Sequence, residues 1–277
     1  TQYGKGIEAL ACFEKMRKEG ISPDLVTYAS MLKACGDARA IDKGKQIHDE
    51  IVNSKILKGR GGMHEKDKEE VLLGNALVDM YAKCGMLSKA QKVLEGIPIR
   101  DVISWSTLIA RYAQEGKGHE ALHCFEQMQI EGLSPDEVTV LCVMNACSHS
   151  GLSNEAQMLF GDMSRKYDIT PRVEHHTCMV MVLGSAGQFD KAMSAIEMMP
   201  CSDYPAVWLA LLASCRKWEK VRLGMLAFDQ AVQVDDNTAA YVLMCSIFSA
   251  AGMYFDAESL EASRLKYACC KERERGI

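Results

Sequence analysis

The chain has 277 residues, 48% of them hydrophobic and 25% charged, with a formal net charge of −5. That apolar content excludes disorder over most of its length, and the acidic balance excludes a basic nucleic-acid coat. The longest apolar runs, Val138–Val143 and Cys178–Leu183, fall well short of the ~18–20 residues that span a bilayer, so no membrane partner is expected. Twelve cysteines without any C-x-x-C spacing fit unpaired thiols in a reducing compartment. The sequence begins at Thr1 with no signal or transit segment, as expected for a piece of a longer precursor.

In chain order, the first strong signal is internal repetition. Gly4–Cys35 (GKGIEALACFEKMRKEGISPDLVTYASMLKAC) and Gly116–Cys147 (GKGHEALHCFEQMQIEGLSPDEVTVLCVMNAC) match without a gap at 19 of 32 positions, against roughly a twentieth expected by chance. Weaker copies divide the chain at 1–24, 25–70, 71–101, 102–136, 137–172, 173–204, 205–238 and 239–277. Each copy predicts two helices. In the copy from 102 to 136, Asp101 can cap the first turn, and Val102, Trp105, Leu108, Ile109 and Tyr112 fall on one stripe. Gly116 and Gly118 break the chain, and Ala121, Leu122, Phe125 and Met128 form a second stripe. Gly132 ends that helix, Pro135 keeps it ended, and Asp136 caps the next. No alternating β-type segment occurs. A hairpin of ~35 residues cannot bury both its faces alone, so neighbours must stack. The expected fold is all-α, a right-handed superhelical α-solenoid of stacked helical hairpins.

The strings VLLGNALVDMYAKCG, DVISWSTLIARYAQEG, EALHCFEQMQIEGLSPDEVT and VEHHTCMVMVLGSAGQFDKA closely resemble plant pentatricopeptide repeat (PPR) proteins of the subgroup with alternating standard, long and short repeats. On that resemblance, residues 1–24 are a partial standard repeat, and 25–70 a long repeat carrying an inserted loop at 53–70. A short repeat (71–101), a standard one (102–136), a long one (137–172) and a short one (173–204) follow. Residues 205–238 and 239–277 resemble the two degenerate "E" motifs that close such proteins. The resemblance implies binding of single-stranded organellar RNA, in the mitochondrial matrix or chloroplast stroma, and selection of cytidines for C-to-U editing. A deaminase-domain protein or editing cofactor would be the partner at the E motifs.

In the family the chain resembles, one repeat meets one base and its fifth and last residues form the reading pair, whose polar side chains can bond a base edge. This implies Asn75 with Asp101 for U and Ser106 with Asp136 for G, with Leu72 and Ile103 packing on the base faces. Thr177 is the fifth residue of the last short repeat, but Tyr204 stands where the family has Asp or Asn. Ala29 and Leu141, at the fifth positions of the long repeats, are expected to read little.

Blander roles compete. Asp24, Asp101 and Asp136 can serve as helix caps, and Asn75 and Ser106 as plain exposed residues. Cys35, Cys84, Cys147 and Cys215 recur late in first helices and fit small core residues better than metal ligands. Met179–Met199 fits core, and Trp105, Trp208 and Trp218 fit packing. His48-Asp49-Glu50 spells the H-x-E half of a zinc deaminase signature, but the thiolate pair is missing. No nucleophile, paired-carboxylate or phosphate-loop constellation occurs, so no enzyme, cofactor or metal is expected. Lys55, Lys58 and Arg60, among Gly59, Gly61 and Gly62, mark the insert as a solvated loop. The alternative is a tetratricopeptide-type protein-interaction scaffold. Its W-x2-L-G-x2-Y pattern is missing, and these joints carry Asp at the reading positions.

Overall fold

The computed structural model describes residues 2–53, 63–199, 204–234 and 238–274. Among these every regular element is a helix. A single helix, α1 (Gln2–Lys18), is followed by seven pairs: α2 (Leu25–Asp37) and α3 (Ile41–Asn53), α4 (Met63–Lys83) and α5 (Leu87–Gly96), α6 (Val102–Gln114) and α7 (Gly118–Ile130), α8 (Glu137–Ser150) and α9 (Ser153–Lys166), α10 (Val173–Ser185) and α11 (Phe189–Glu197), α12 (Pro205–Lys217) and α13 (Val221–Val234), α14 (Thr238–Ala250) and α15 (Tyr254–Glu274).

The repeat plan explains these bounds. Asp24, Asp101 and Asp136 each accept a bond from the backbone N–H three residues on, that of Thr27, Ser104 and Thr139, at 2.7–2.8 Å. That bond satisfies an orphan amide of the following first turn. The turn inside a hairpin needs a left-handed residue, and Gly116 supplies it at φ +67°. Gly85, Gly151, Gly187 and Gly252 stand at the same place, whereas Arg39 and Glu219 take it with φ near +50° in their hairpins.

The chain forms two compact units, residues 1–146 and 147–277. In the first, α2, α4 and α6 pack side by side; α1 and α3 lie on α2, α5 on α4 and α6, and α7 on α6. In the second, α10, α12 and α14 pack side by side; α9 and α11 lie on α10, α13 on α12 and α14, and α15 on α14. Each unit is therefore a stack of hairpins with a layer of first helices and a layer of second helices, which is the α-solenoid plan. Small residues let the layers close. Ala90, Ala121, Ala156 and Ala192 are fully buried near the start of α5, α7, α9 and α11. Gly44 holds that place in α3, where a Cβ would come within 2.5 Å of the Met80 sulfur.

Residues 63–70 of the expected loop are helical: α4 begins at Met63, ahead of the repeat register at Val71. Met, Glu and Lys in that stretch are good helix formers, and they extend the helix backwards. Lys55, Lys58, Arg60, Gly59, Gly61 and Gly62 lie outside the described residues. Cys35, Cys147 and Cys215 are buried, whereas Cys84 is half-buried just beyond α4. Burial pushes the Cys35 and Cys215 thiols up to about 11 and that of Cys147 to about 12, as expected of core thiols rather than reactive ones. Trp105 and Trp208 are buried in packing, while Trp218 is partly exposed beneath the Lys217 ammonium.

Candidate nucleic-acid interface

The joint between the α4/α5 and α6/α7 hairpins brings together residues far apart in sequence. Asn75 sits in α4 and Asp101 caps α6, yet Asn75 Nδ2 donates to Asp101 Oδ1 at 3.3 Å. Ser104, in the first turn of α6, completes the cluster. Its backbone N–H donates to Asp101 Oδ1 at 2.8 Å, and its Oγ lies 2.6 Å from Asn75 Oδ1. The Asp101 backbone N–H returns a bond to Ser104 Oγ at 3.2 Å, closing a capping box. Every one of these bonds to the carboxylate falls on Oδ1. Ser104 was not singled out in the sequence. The signal for it is the D-x-x-[S/T] spacing that also occurs at Asp24 and Asp136.

The second expected pair is not joined. Ser106 Oγ donates to the Ile103 carbonyl of its own helix at 3.2 Å. Asp136 is held by Thr139, whose N–H and Oγ1 both donate to Oδ1, at 2.8 and 2.6 Å. Thr177 likewise turns back to its own helix, donating to the Val173 carbonyl at 2.8 Å. Tyr204 stands before α12 with no side-chain cap bond, and with Val173, His176 and Met199 it lines a recess of about 320 Å³.

Leu72 and Ile103 are 46% and 63% exposed, on helices that bury Leu73, Leu77, Trp105 and Leu108. Val26 and Val138 occupy the same second position of their repeats and are 65% and 58% exposed. These four aliphatic side chains stand in water at equivalent places of their repeats. In the second unit the corresponding residue is Glu174.

Charge on this layer is balanced rather than positive. Lys83 bridges Asp37 at 2.8 Å and Asp79 at 2.7 Å, and Arg111 reaches Asp79 at 3.6 Å. Burial works against the Lys83 ammonium, but its bonds to the two carboxylates outweigh this and hold its pKa above the ordinary value. A second clamp lies behind the joint. Arg100 Nε donates to Glu131 Oε1 at 2.7 Å and Trp105 Nε1 donates to Oε2 at 2.8 Å, tying the joint to the end of α7. Burial opposes the Glu131 charge, and those two donors overcome it, leaving its carboxyl below the usual range.

The H-x-E triplet is used structurally. His48 Nδ1 lies 2.9 Å from the Tyr81 hydroxyl, and Glu50 accepts from Arg17 at 2.8 Å. Among the described residues no three His, Cys, Asp or Glu side chains gather as a metal site, and no helix is long and apolar enough to cross a membrane.

The stacked hairpins and their joint chemistry define a helical-repeat protein of the α-solenoid class. A model of the PPR repeat family matches residues 2–37 and 100–149, and the PPR repeat model matches 26–56, 75–100, 138–167 and 174–204. A putative pentatricopeptide repeat-containing protein of Arabidopsis thaliana is 38% identical over 92% of this chain and 36% of its own length. Another from the same plant, named as mitochondrial, is 34% identical over 96% of this chain and 33% of its own. The chain belongs to the pentatricopeptide repeat family, and it spans about a third of the length of these relatives. The fold is shared with the pentatricopeptide repeat protein PPR10 in complex with an 18-nt psaJ RNA element. The TM-score is 0.70 at 17% identity, over 96% of this chain and 39% of that one.

Proposed function

We propose that this chain binds single-stranded organellar RNA in a base-selective manner and forms part of a site-recognition factor for C-to-U editing. Asn75 with Asp101 selects U, Ser106 with Asp136 selects G, and Thr177 contributes at a further position. Leu72 and Ile103 pack on the bases. The observation that carries this reading is the Asn75–Asp101 bond beside two exposed aliphatic side chains. On this reading Asn75 and Asp101 are the polar edge readers and Leu72 and Ile103 the apolar platform, the pairing that suits unstacked bases. PPR10 in complex with RNA, and the mitochondrial names among the relatives, support it. Residues 205–277, read as two E motifs, supply the surface for a deaminase partner, and no catalytic role is assigned to the chain itself. The divisions at 25–70, 71–101, 102–136, 137–172 and 173–204 are read as the long, short and standard repeats of this subgroup.

The test is gel-shift binding to RNAs that differ at one position, with and without Asn75→Ser. Preference at that position moves from U toward G; an unchanged preference removes the base assignment. Loss of all single-stranded RNA binding even at low salt, where phosphate contacts are strongest, would favour the protein-interaction scaffold instead.

A further inference from the structure

We propose that Ser104 is a positioning residue for base selection, locking the Asn75 amide in one orientation so that U is accepted and C is refused. The inference rests on the reading of Asn75 and Asp101 given above and assigns that joint a third member.

The argument is one of hydrogen-bond inventory. A carboxylate can only accept, so the Asn75 atom 3.3 Å from Asp101 Oδ1 is the amide nitrogen. The Asn75 atom 2.6 Å from Ser104 Oγ is then the amide oxygen, and it takes the single hydroxyl proton. Asp101 Oδ1 also lies 2.8 Å from that hydroxyl, but it already accepts from the Ser104 N–H and the Asn75 Nδ2, whereas two oxygens as close as 2.6 Å need the proton between them. Ser104 is 0% exposed, so water does not compete for its proton.

Each end of the amide is thereby tied to a different partner. Rotating it by half a turn would set the carbonyl against the Asp101 carboxylate, oxygen against oxygen, and would give up the Ser104 bond to the amide oxygen. What remains for a ligand is one Nδ2 proton and one Oδ1 lone pair, in a fixed order. Uracil offers an N3–H donor beside carbonyl acceptors; cytosine offers an N3 acceptor beside an amino donor. A freely rotating amide would serve both by exchanging its ends. A locked one serves a single order. The neighbouring joint is an internal contrast. There Thr139 caps Asp136 and Ser106 takes no part, its hydroxyl being spent on the Ile103 carbonyl.

The experiment compares the 277-residue chain with Ser104→Ala, Ser104→Thr and Asn75→Ser. The probes are single-stranded RNAs carrying each of the four bases at the position Asn75 reads, at low salt. In Ser104→Ala the U-over-C ratio falls about three- to tenfold, the worth of one hydrogen bond. Ser104→Thr, which keeps the hydroxyl, restores it. In parallel, the two Asn75 side-chain amide protons, followed by NMR without RNA, exchange faster with water and with each other in Ser104→Ala only. An unchanged U-over-C ratio in Ser104→Ala, with preference still shifted by Asn75→Ser, overturns the lock and leaves the reading pair standing. A ratio that Ser104→Thr fails to restore in a folded protein makes Ser104 a packing residue and overturns it too. Unchanged preference in both Ser104→Ala and Asn75→Ser removes the reading pair, and the lock with it.

Discussion

The two units of the molecule are built from the same hairpin but differ at its joints. In the first, three joints carry Asp with Thr or Ser three residues on, and the second residue of each repeat is an exposed aliphatic. In the second, the joints carry Arg172 and Tyr204, and a carboxylate, Glu174, stands where the aliphatic would be. The cores do not differ in this way: small residues close the layers in both, and both bury a continuous set of aliphatic and sulfur side chains. A repeat thus has a conserved requirement, burying its stripes, and a free one, the chemistry of the joint. The first unit spends the free one on side-chain caps and exposed aliphatics, and the joints at Arg172 and Tyr204 do not.

The largest expected effect tests whether the cores are indeed alike. Leu108→Ala in the first unit and Leu211→Ala in the second both empty a fully buried site. Each lowers stability by about 2–5 kcal/mol in denaturant unfolding. A cost confined to one unit would place the difference in the packing and not only at the joints.

Next come the caps. Asp101→Ala removes the acceptor that serves both Ser104 and Asn75 and costs about 1–2 kcal/mol. Tyr204→Ala, at a joint whose side chain caps nothing, stays within about 0.5 kcal/mol. Equal costs would erase the distinction. Of similar size is the contact row. Ile103→Asp lowers RNA affinity about tenfold by removing an apolar contact, while thermal stability holds because the side chain is exposed. Glu174→Val makes the complementary change and raises affinity. An Ile103→Asp protein that binds normally would separate the aliphatic row from ligand contact.

The smallest effect is in acid. Bonds from the Thr27 hydroxyl and N–H hold the Asp24 carboxyl below the usual range. A lowered carboxyl contributes above the ordinary Asp value of about 3.9 and loses its contribution as pH falls through the folded value. The Thr27 amide signal therefore shifts in that acid window and flattens in Asp24→Asn, while the Val207 amide after Tyr204 stays still. A Thr27 amide indifferent to acid would deny the cap its charge.

Much of this was legible in the sequence because repetition multiplies weak signals. One Gly or one Asp says little, but Asp24, Asp101 and Asp136 at matching positions announce three helix starts, and the structure has them. The extension of α4 back to Met63 was hidden by the glycines and mixed charges before it, although the stretch itself consists of helix formers. The Asn75 cluster was half legible. Its two members are named by repeat position, but Ser104 becomes visible only when α6 packs beside α4. The Ser106–Asp136 pair failed to meet for a plain reason of reach. A serine hydroxyl ends one bond beyond Cβ and finds its own helix carbonyl first, whereas the longer asparagine amide crosses to the neighbouring hairpin.

At residues 24, 101 and 136 an Asp is the last residue of one repeat and the N-cap of the next, so on the proposed reading a single side chain answers to two masters. A substitution that retunes base choice must still close a helix, and only Asp, Asn, Ser and Thr do that well among side chains with a polar atom to offer. The alphabet open to a joint is therefore short before any ligand is considered. On the proposed reading, variation in what is recognised then comes mainly from the fifth position, where no helix terminus restricts the choice, and from the number of hairpins in the array.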